Sequence, residues 1–248
     1  MSLISDAMSE QLNSPLRPHA EPHPSAKLRK SDVTRAAILN AALEFLWSHP
    51  FREMSVVSLM ASTALSRSAF YQYFHDLHEL MESLLDELEQ EVLAGASPWL
   101  TGSGDAIALL HESLAELVRV CHERGPILRA VADAAPSDER LDRSWTQFLG
   151  RFDDAVTARI EADQQQGLIA EFEARPVAVA LNRLDAFTFI HTFGTRPRSE
   201  PEPVLDAIVR IWTLTLYGAS SRVTDCSETP RIRRPAESTV SSGAGDPG

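Results

Sequence analysis

The stretch "LSRSAFYQYF", residues 65–74, holds four aromatic side chains and one arginine but no acidic residue, within a 248-residue chain of formal charge -12. On a helix, this segment divides into two faces. Phe70 and Phe74 lie four residues apart on one face, and Ser68 and Gln72 lie on the opposite face. The pattern therefore predicts a short helix with one packed face and one face of hydrogen-bonding groups.

The outward groups of this segment suit contact with nucleic acid. They are a guanidinium, hydroxyls, an amide and a methyl group, which are the groups that contact base edges and phosphates in the major groove of DNA. Ser66 is placed to cap the helix, and the free N–H groups at the helix N-terminus suit a phosphate. Residues 26–75 carry six basic and three acidic side chains, a net charge of +3 in a chain of -12. A basic head on an acidic body can approach a polyanion that the body repels.

The rest of the chain predicts helices, with no alternating strand pattern. A first helix begins at Ser31 or Asp32, a second follows Ser55, the third is the segment above, and a fourth opens at Asp76. "GASPWLTGSGD" marks a boundary near residues 95–105. Further helices are predicted over 106–124, from Pro126 to Ala134, and over 138–166, 176–193 and 201–217. The prediction is an all-α fold of about nine helices.

The composition divides the chain into four parts and excludes several classes of protein. Residues 1–26 are expected to form a disordered leader, 27–75 a head, 76–218 a helical body and 219–248 a disordered tail. No membrane segment is indicated, and two widely spaced cysteines indicate a reducing cytoplasm. We expect no metal, cofactor or enzymatic activity, because the sequence lacks metal-ligand spacing, a phosphate-binding loop and nucleophile motifs.

Residues 55–81, "SVVSLMASTALSRSAFYQYFHDLHELM", resemble the DNA-binding motif of TetR-family transcriptional repressors. The pattern of that family is roughly T-V-x-x-I-A-x-x-A-G-V-S-x-x-T-F-Y-x-Y-F-x-x-K-x-x-L. The resemblance implies an all-helical homodimer whose head binds a palindromic double-stranded DNA operator. It also implies a C-terminal domain with a cavity for a small ligand.

On matching positions, the resemblance assigns DNA-binding roles within this segment. It makes Ser66, Arg67, Ser68 and Ala69 groove-facing, Ser55, Tyr71 and Tyr73 phosphate or base contacts, and His75 a neighbour of the DNA backbone; Gln72 lies on the same outward face. The sequence departs from the family at Leu77, where a lysine normally supplies a phosphate contact. We expect Lys27, Arg29, Lys30 and Arg35 to compensate from an N-terminal arm.

The second half resembles the ethionamide-resistance regulator branch of the family. The segments that carry this resemblance are "VAVALNRLDAFTFI", residues 177–190, and "PVLDAIVRIWTLTLYG", residues 203–218. In that branch an Asn-containing helix and a Trp-containing last helix border a long apolar channel. The candidate ligand-binding residues are Trp145, Phe148, Phe152, Asn182, Asp185, Phe189 and Trp212. Alternatively, the aromatic residues are simply core, and the polar ones satisfy each other and the backbone.

The last two helices, 176–193 and 201–217, are apolar on more faces than one packed side requires, which favours a homodimer interface. The favoured function is a dimeric repressor that a small apolar ligand releases from its operator. The alternative is an all-helical small-molecule binding protein or enzyme with a vestigial DNA-binding head. That alternative is motivated by the departures at Ala64, in place of the turn glycine, and at Leu77.

Overall fold

The structure is a computed structural model that describes the backbone of residues 24–218 and the side chains of residues 31–218. The described part is helical and contains no strand, so the predicted all-α fold class is confirmed. Its helices are α1 (Pro24–Ser48), α2 (Val56–Ala61), α3 (Arg67–Tyr71), α4 (Leu77–Thr101), α5 (Ala106–Ala134), α6 (Glu139–Gln165), α7 (Ala174–Phe193) and α8 (Pro201–Leu216), with 3-10 turns at Phe51–Glu53 and Ala135–Ser137. Between residues 24 and 218, no helix is long and apolar enough to cross a membrane.

Helix α1 begins earlier than the sequence pattern predicts. It starts at Pro24, inside the range predicted to be a disordered leader, and it includes Lys27, Arg29 and Lys30, which were expected in an N-terminal arm. The prediction placed the start at the first capping residue before the apolar repeat. The preceding "PSAKLRK" has proline at the first helical position and no later helix breaker, so nothing in it opposes extension. The rest of the predicted leader and the whole predicted tail lie outside the described residues.

The head is a three-helix unit around a small aromatic core. Phe70 and Phe74 are buried there, together with the apolar residues of α1 and α2 that face them. The Ser55 hydroxyl accepts a hydrogen bond from the Ser58 backbone N–H at 3.0 Å and caps α2. Helix α3 ends at Tyr71, not at Phe74 as predicted. The chain nevertheless keeps turning in the same direction, because the Phe74 N–H bonds to the Phe70 carbonyl at 3.0 Å, and Phe74 stays on the packed face.

Helix α4 continues through the predicted boundary near residues 95–105 and includes Pro98. A proline inside a helix removes one backbone donor and disturbs the preceding turn. Ser113 of α5 compensates by bonding to the backbone on both sides of Pro98. Its Oγ accepts from the Trp99 N–H at 3.1 Å and donates to the Ala96 carbonyl at 3.3 Å. The boundary between α4 and α5 is therefore shorter and later than predicted.

Helix α5 is likewise continuous through Gly125-Pro126, which the sequence predicts as a helix end. Gly125 is needed for a close approach: a Cβ placed there would lie 2.4 Å from the Phe193 carbonyl oxygen at the end of α7. The glycine thus lets two helices meet and does not terminate one. This continuity is why the described residues form eight α-helices where about nine were expected.

The body consists of α4 to α8, and it is joined to the head at more places than the start of α4. Helix α5 packs against α4, α7 and α8, and α6 packs against α4 and α7. The Arg129 guanidinium of α5 donates to the Leu46 carbonyl of α1 at 2.7 Å. In the loop between α7 and α8, Arg196 and Arg198 lie over the Trp47 ring, 4.8 and 5.1 Å from its centroid. The C-terminal end of α1 is therefore held by the body.

Candidate functional site

The outward face of α3 presents most of the predicted DNA-binding side chains to solvent. Ser55, Ser66, Arg67, Ser68, Tyr71, Gln72 and His75 are exposed, and Ala69 and Tyr73 are half-buried. The Ser66 hydroxyl caps α3 by accepting from the Ala69 N–H at 3.2 Å. No described side chain forms an ion pair or hydrogen bond with Arg67, so its guanidinium is available to an external partner.

Arg35 does not join this face. Its Nη1 lies 2.6 Å from Glu87 Oε1 of α4, and its guanidinium lies over the Phe74 ring, 5.6 Å from the centroid. A phosphate contact by Arg35 stays a prediction, and in this structure the side chain ties α1 to α4. For Lys27, Arg29 and Lys30 the structure gives a position in α1 and no description of the side chains.

The start of α4 is built for attachment to the body and not for a phosphate contact. Leu77 is half-buried and packs against the core. Asp76 caps α4 by accepting from the Glu79 N–H at 2.8 Å. Arg140, near the start of α6, donates to Asp76 at 2.9 Å and to Glu82 at 2.7 Å, and its hydrogen bond to Glu82 lowers the pKa of that carboxyl. The head-proximal end of α4 is thus connected to α6.

An elongated apolar cavity lies inside the body, with about 780 Å³ of empty space that includes its open mouth. Six of the seven predicted ligand-binding residues line it: Phe148, Phe152, Asn182, Asp185, Phe189 and Trp212. The walls come from α4, α5, α6, α7 and α8. An apolar cavity with a few convergent polar groups is the usual form of a small-molecule site.

Trp145 is the predicted ligand-binding residue that does not line the cavity. It is half-buried and stacks on Phe148, with ring centroids 5.5 Å apart. Trp145 lies on the same stripe of α6 as Phe148 and Phe152 but one turn nearer the N-terminus, beyond the end of the cavity. Helical spacing identified the stripe correctly but does not say where along it the cavity ends.

The α5 wall of the cavity was missed by the sequence prediction. It includes Ser113, Leu117 and Cys121, which recur every four residues and therefore share one face of the helix. A serine and a cysteine on an otherwise apolar stripe were the available signal. Burial raises the pKa of the Cys121 thiol well above its ordinary value, so the thiol is neutral.

Asp185 is the acidic group of the cavity wall. Its side chain is buried, and its two oxygens accept from the Trp212 indole N–H at 3.2 and 3.1 Å. Burial raises the pKa of this carboxyl to about 8. Near neutral pH the protonated form therefore predominates.

Asn182 lines the same wall, one turn from Asp185, but its amide is already engaged. Its Nδ2 donates to Asp153 Oδ1 of α6 at 2.9 Å, and Arg183 holds the same carboxylate at 2.8 Å. The two polar residues of α7 therefore differ. Asn182 belongs to a satisfied network between α6 and α7, whereas Asp185 has no cationic partner among the described residues.

A buried polar network lies at the end of the body near Trp99, another residue of the cavity wall. The Tyr217 hydroxyl donates to Asp163 Oδ2 at 2.7 Å and accepts from the Trp99 indole N–H at 2.9 Å. Burial and the bond to Asp163 raise the pKa of Tyr217 to about 12. Arg159 lies 3.0 Å from Asp163 and compensates the charge of that buried carboxylate. The network fixes the last turn of α8 against α4 and α6.

The outer face of α7 and α8 exposes large apolar side chains. Phe187 is 67% exposed and Leu214 60%, and Ile211 lies one turn from Leu214. Ala207, Ile211 and Leu214 recur at intervals of four and three residues, so they form one stripe on α8. Exposed apolar side chains in such a stripe are typical of interaction surfaces.

Comparison with known proteins identifies relatives of this chain. Residues 110–218 match the family described as "Transcriptional regulator EthR, C-terminal domain". The HTH-type transcriptional regulator EthR of Mycobacterium tuberculosis is 25% identical over 191 residues, which cover 75% of this chain and 88% of that protein. The nucleoid occlusion factor SlmA of Marinobacter nauticus is 29% identical over 138 residues, which cover 54% of this chain and 70% of that protein.

Solved structures share the fold. A TetR-family regulator from Syntrophomonas wolfei superimposes with a TM-score of 0.66 at 16% identity, over 78% of this chain and 99% of that one. NalD, the secondary repressor of an efflux pump in Pseudomonas aeruginosa, gives a TM-score of 0.61 at 18% identity, over 76% and 98% of the two chains. The chain thus has the fold of these TetR-family regulators and is similar to EthR, and its residues 110–218 match the EthR C-terminal domain family.

Proposed function

We propose that this chain is a transcriptional repressor whose residues 27–75 bind a palindromic DNA operator. The proposed binding unit is a homodimer formed through α7 and α8, and the proposed location is the cytoplasm. A small apolar ligand enters the cavity of the body, residues 76–218, and releases the protein from the operator. The role is regulatory and not catalytic, as it is in the relatives to which the chain is similar.

The observation that carries the proposal is the outward face of α3. Phe70 and Phe74 fix one side of the helix in the core, which leaves Arg67, Ser68 and Tyr71 directed to solvent. Helix-turn-helix proteins insert the first residues of such a helix into the major groove. An unpaired guanidinium at that position can bond a guanine edge in two places or contact a phosphate.

The proposed control of DNA binding by the ligand uses the contacts that connect the cavity wall to the head. Phe148 and Phe152 line the cavity on α6, and Arg140 joins the start of the same helix to Asp76 and Glu82 of α4. A ligand releases DNA if it binds more tightly to a conformation in which the two heads no longer match the operator spacing. Movement of α6 relative to α4 is the expected route.

The test begins with selection of bound DNA from a random pool, followed by fluorescence anisotropy on the selected operator. Arg67→Ala is expected to weaken binding by about 1–3 kcal/mol if the arginine reads a guanine. Arg119→Ala is the matched control, because Arg119 is exposed on α5 and pairs with Glu116 and Glu123 of its own helix. Equal affinity of the Arg67 variant and wild type would remove Arg67 from the reading face. A pool that yields no bound sequence at low salt would contradict DNA binding itself.

A further inference from the structure

The cavity wall contains an acidic group that no basic group balances. Among the residues that the structure describes, Asp185 is the acidic residue of the wall, and no lysine, arginine or histidine lines the cavity. The other polar side chains of the wall are neutral: Ser113, Cys121 and Asn182, together with the indole N–H groups of two tryptophans. An acid at the side of an apolar cavity, with no cation facing it, is an electrostatically incomplete site.

The Asp185 carboxyl accepts fewer hydrogen bonds than a carboxylate can. A carboxylate offers about four lone-pair sites, and the Trp212 N–H supplies one shared donor. The side chain retains only 4% of its accessible surface. On α5 the neighbouring titratable group is the neutral thiol of Cys121, and on α6 the Asp153 carboxylate is already neutralised by Arg183. None of these groups compensates a charge on Asp185.

The remaining walls are suited to a cation with an apolar body. Aromatic rings of Trp99, Phe148, Phe152, Phe189 and Trp212 line the cavity. The faces of aromatic rings attract ammonium groups, and the attraction strengthens when water is excluded. Aliphatic side chains of α4 and α5, such as Leu88 and Leu114, provide the rest of the surface.

We propose that the ligand of this cavity is an apolar molecule that carries one amine, and that its ammonium group pairs with the Asp185 carboxylate. This inference rests on the proposed function only in taking the cavity as the ligand site. It goes further by assigning the chemical class of the ligand and the residue that selects it.

The protonation step of this pairing is balanced by one proton. In the empty cavity at pH 7 the carboxyl is mostly protonated, because its pKa is about 8. An incoming ammonium group stabilises the carboxylate, so the carboxyl proton leaves to solvent and the ion pair forms inside the cavity. Primary ammonium groups, like that of lysine with a pKa of about 10.4, stay charged across this range. Binding of an amine therefore releases close to one proton per site.

Three probes of equal chain length separate the contribution of the amine from that of the apolar body: decylamine, decanol and decanoate. Isothermal titration calorimetry on the full-length protein at pH 7 measures the affinity of each. Decylamine is expected to bind roughly 10- to 100-fold more tightly than decanol, which is the range for a hydrogen bond to a charged partner, and decanoate is expected to bind most weakly. Repeating the titration in two buffers of different ionisation enthalpy counts the protons released.

Asp185→Asn is the decisive variant, because it keeps the size of the side chain and an acceptor for Trp212 but removes the charge. It is expected to bind decylamine and decanol about equally and to release no proton. Asp154→Asn is the matched control, since Asp154 is exposed on α6 and pairs with Arg175 outside the cavity. This control should retain both the amine preference and the proton release. Thermal unfolding of each variant establishes that it is folded.

Three results would overturn the proposal: equal affinity of wild type for decylamine and decanol, an amine preference that survives in Asp185→Asn, or no saturable binding of any probe. Operator binding is measured separately by anisotropy on the same samples. An amine preference in a protein that binds no operator would leave this inference standing and defeat the repressor proposal. Normal operator binding without the amine preference would defeat this inference and leave the repressor proposal standing.

Discussion

Replacement of Asp185 by asparagine should make the stability of the protein less dependent on pH. Burial of the carboxyl determines the direction and the size of the pH dependence that the wild type shows. The pKa of the carboxyl is about 8 in the folded chain, against an ordinary value of 3.8. Between these values the folded state binds the proton and the unfolded state does not, so the free energy of unfolding falls as pH rises. The slope expected from one such group is about 1.4 kcal/mol per pH unit. At pH 7 the accumulated loss is on the order of 4 kcal/mol.

The assay is urea unfolding of wild type and Asp185→Asn at pH 5, 6, 7 and 8, at one protein concentration because a dimer's stability depends on it. The free energy of unfolding of the variant, relative to that of wild type, should rise by about 1.4 kcal/mol for each pH unit from 5 to 7. This difference should level off above pH 8. Asp154→Asn, on an exposed part of α6, should give a difference that does not change with pH. A pH-independent difference between wild type and Asp185→Asn would refute the reasoning, because it would mean that the buried carboxyl titrates normally.

Three further substitutions, two of them paired with a control variant, test the packing and the dimer interface. Gly125→Ala should lower the free energy of unfolding by about 1–3 kcal/mol. Gly150→Ala is its control: an added Cβ there meets nothing within 4 Å, so it should raise that free energy by about 0.5–1 kcal/mol. Equal effects of the two variants in urea unfolding would contradict the close helix approach at Gly125. Tyr217→Phe should cost about 1–3 kcal/mol by leaving two buried partners of the hydroxyl unpaired, and unchanged thermal stability would argue against the network. Leu214→Glu should shift sedimentation equilibrium towards monomer while Leu168→Glu, on another exposed apolar site, should not; a dimer that survives Leu214→Glu would move the interface elsewhere.

Periodicity and capping in the sequence predicted most of the helices, and the predicted ligand-binding residues include six that line the cavity from α6, α7 and α8. The packed face of Phe70 and Phe74 followed from spacing alone, since burial of an apolar face is a local consequence of helix geometry. Gly125 and Pro98 were misread because the same residue types that end helices also permit close contact or are tolerated inside them. The deciding partners, the Phe193 carbonyl and the Ser113 hydroxyl, are distant in sequence.

Distant partners also explain why some predicted site residues have surroundings that the sequence did not indicate. Arg35 was counted as a free positive charge, but its partner Glu87 lies 52 residues away on another helix. Trp145 shares its stripe with two residues of the cavity wall, and only the three-dimensional end of the cavity separates it from them. Asp185 and Asn182 were both predicted to bind the ligand. The structure separates them, because Asp153 engages the Asn182 amide whereas the Asp185 carboxyl accepts, among the described residues, only from the Trp212 indole.

The contact of Trp47 with Arg196 and Arg198 has a consequence for how the head can move. A head joined to the body only through the start of α4 could swing about that joint. This head is also held by the loop between α7 and α8, by the bond from Arg129 to the end of α1 and by the Arg35–Glu87 pair. In a dimer built on α7 and α8, we therefore expect a shift of that loop to reach the head through α1 as well as through α4.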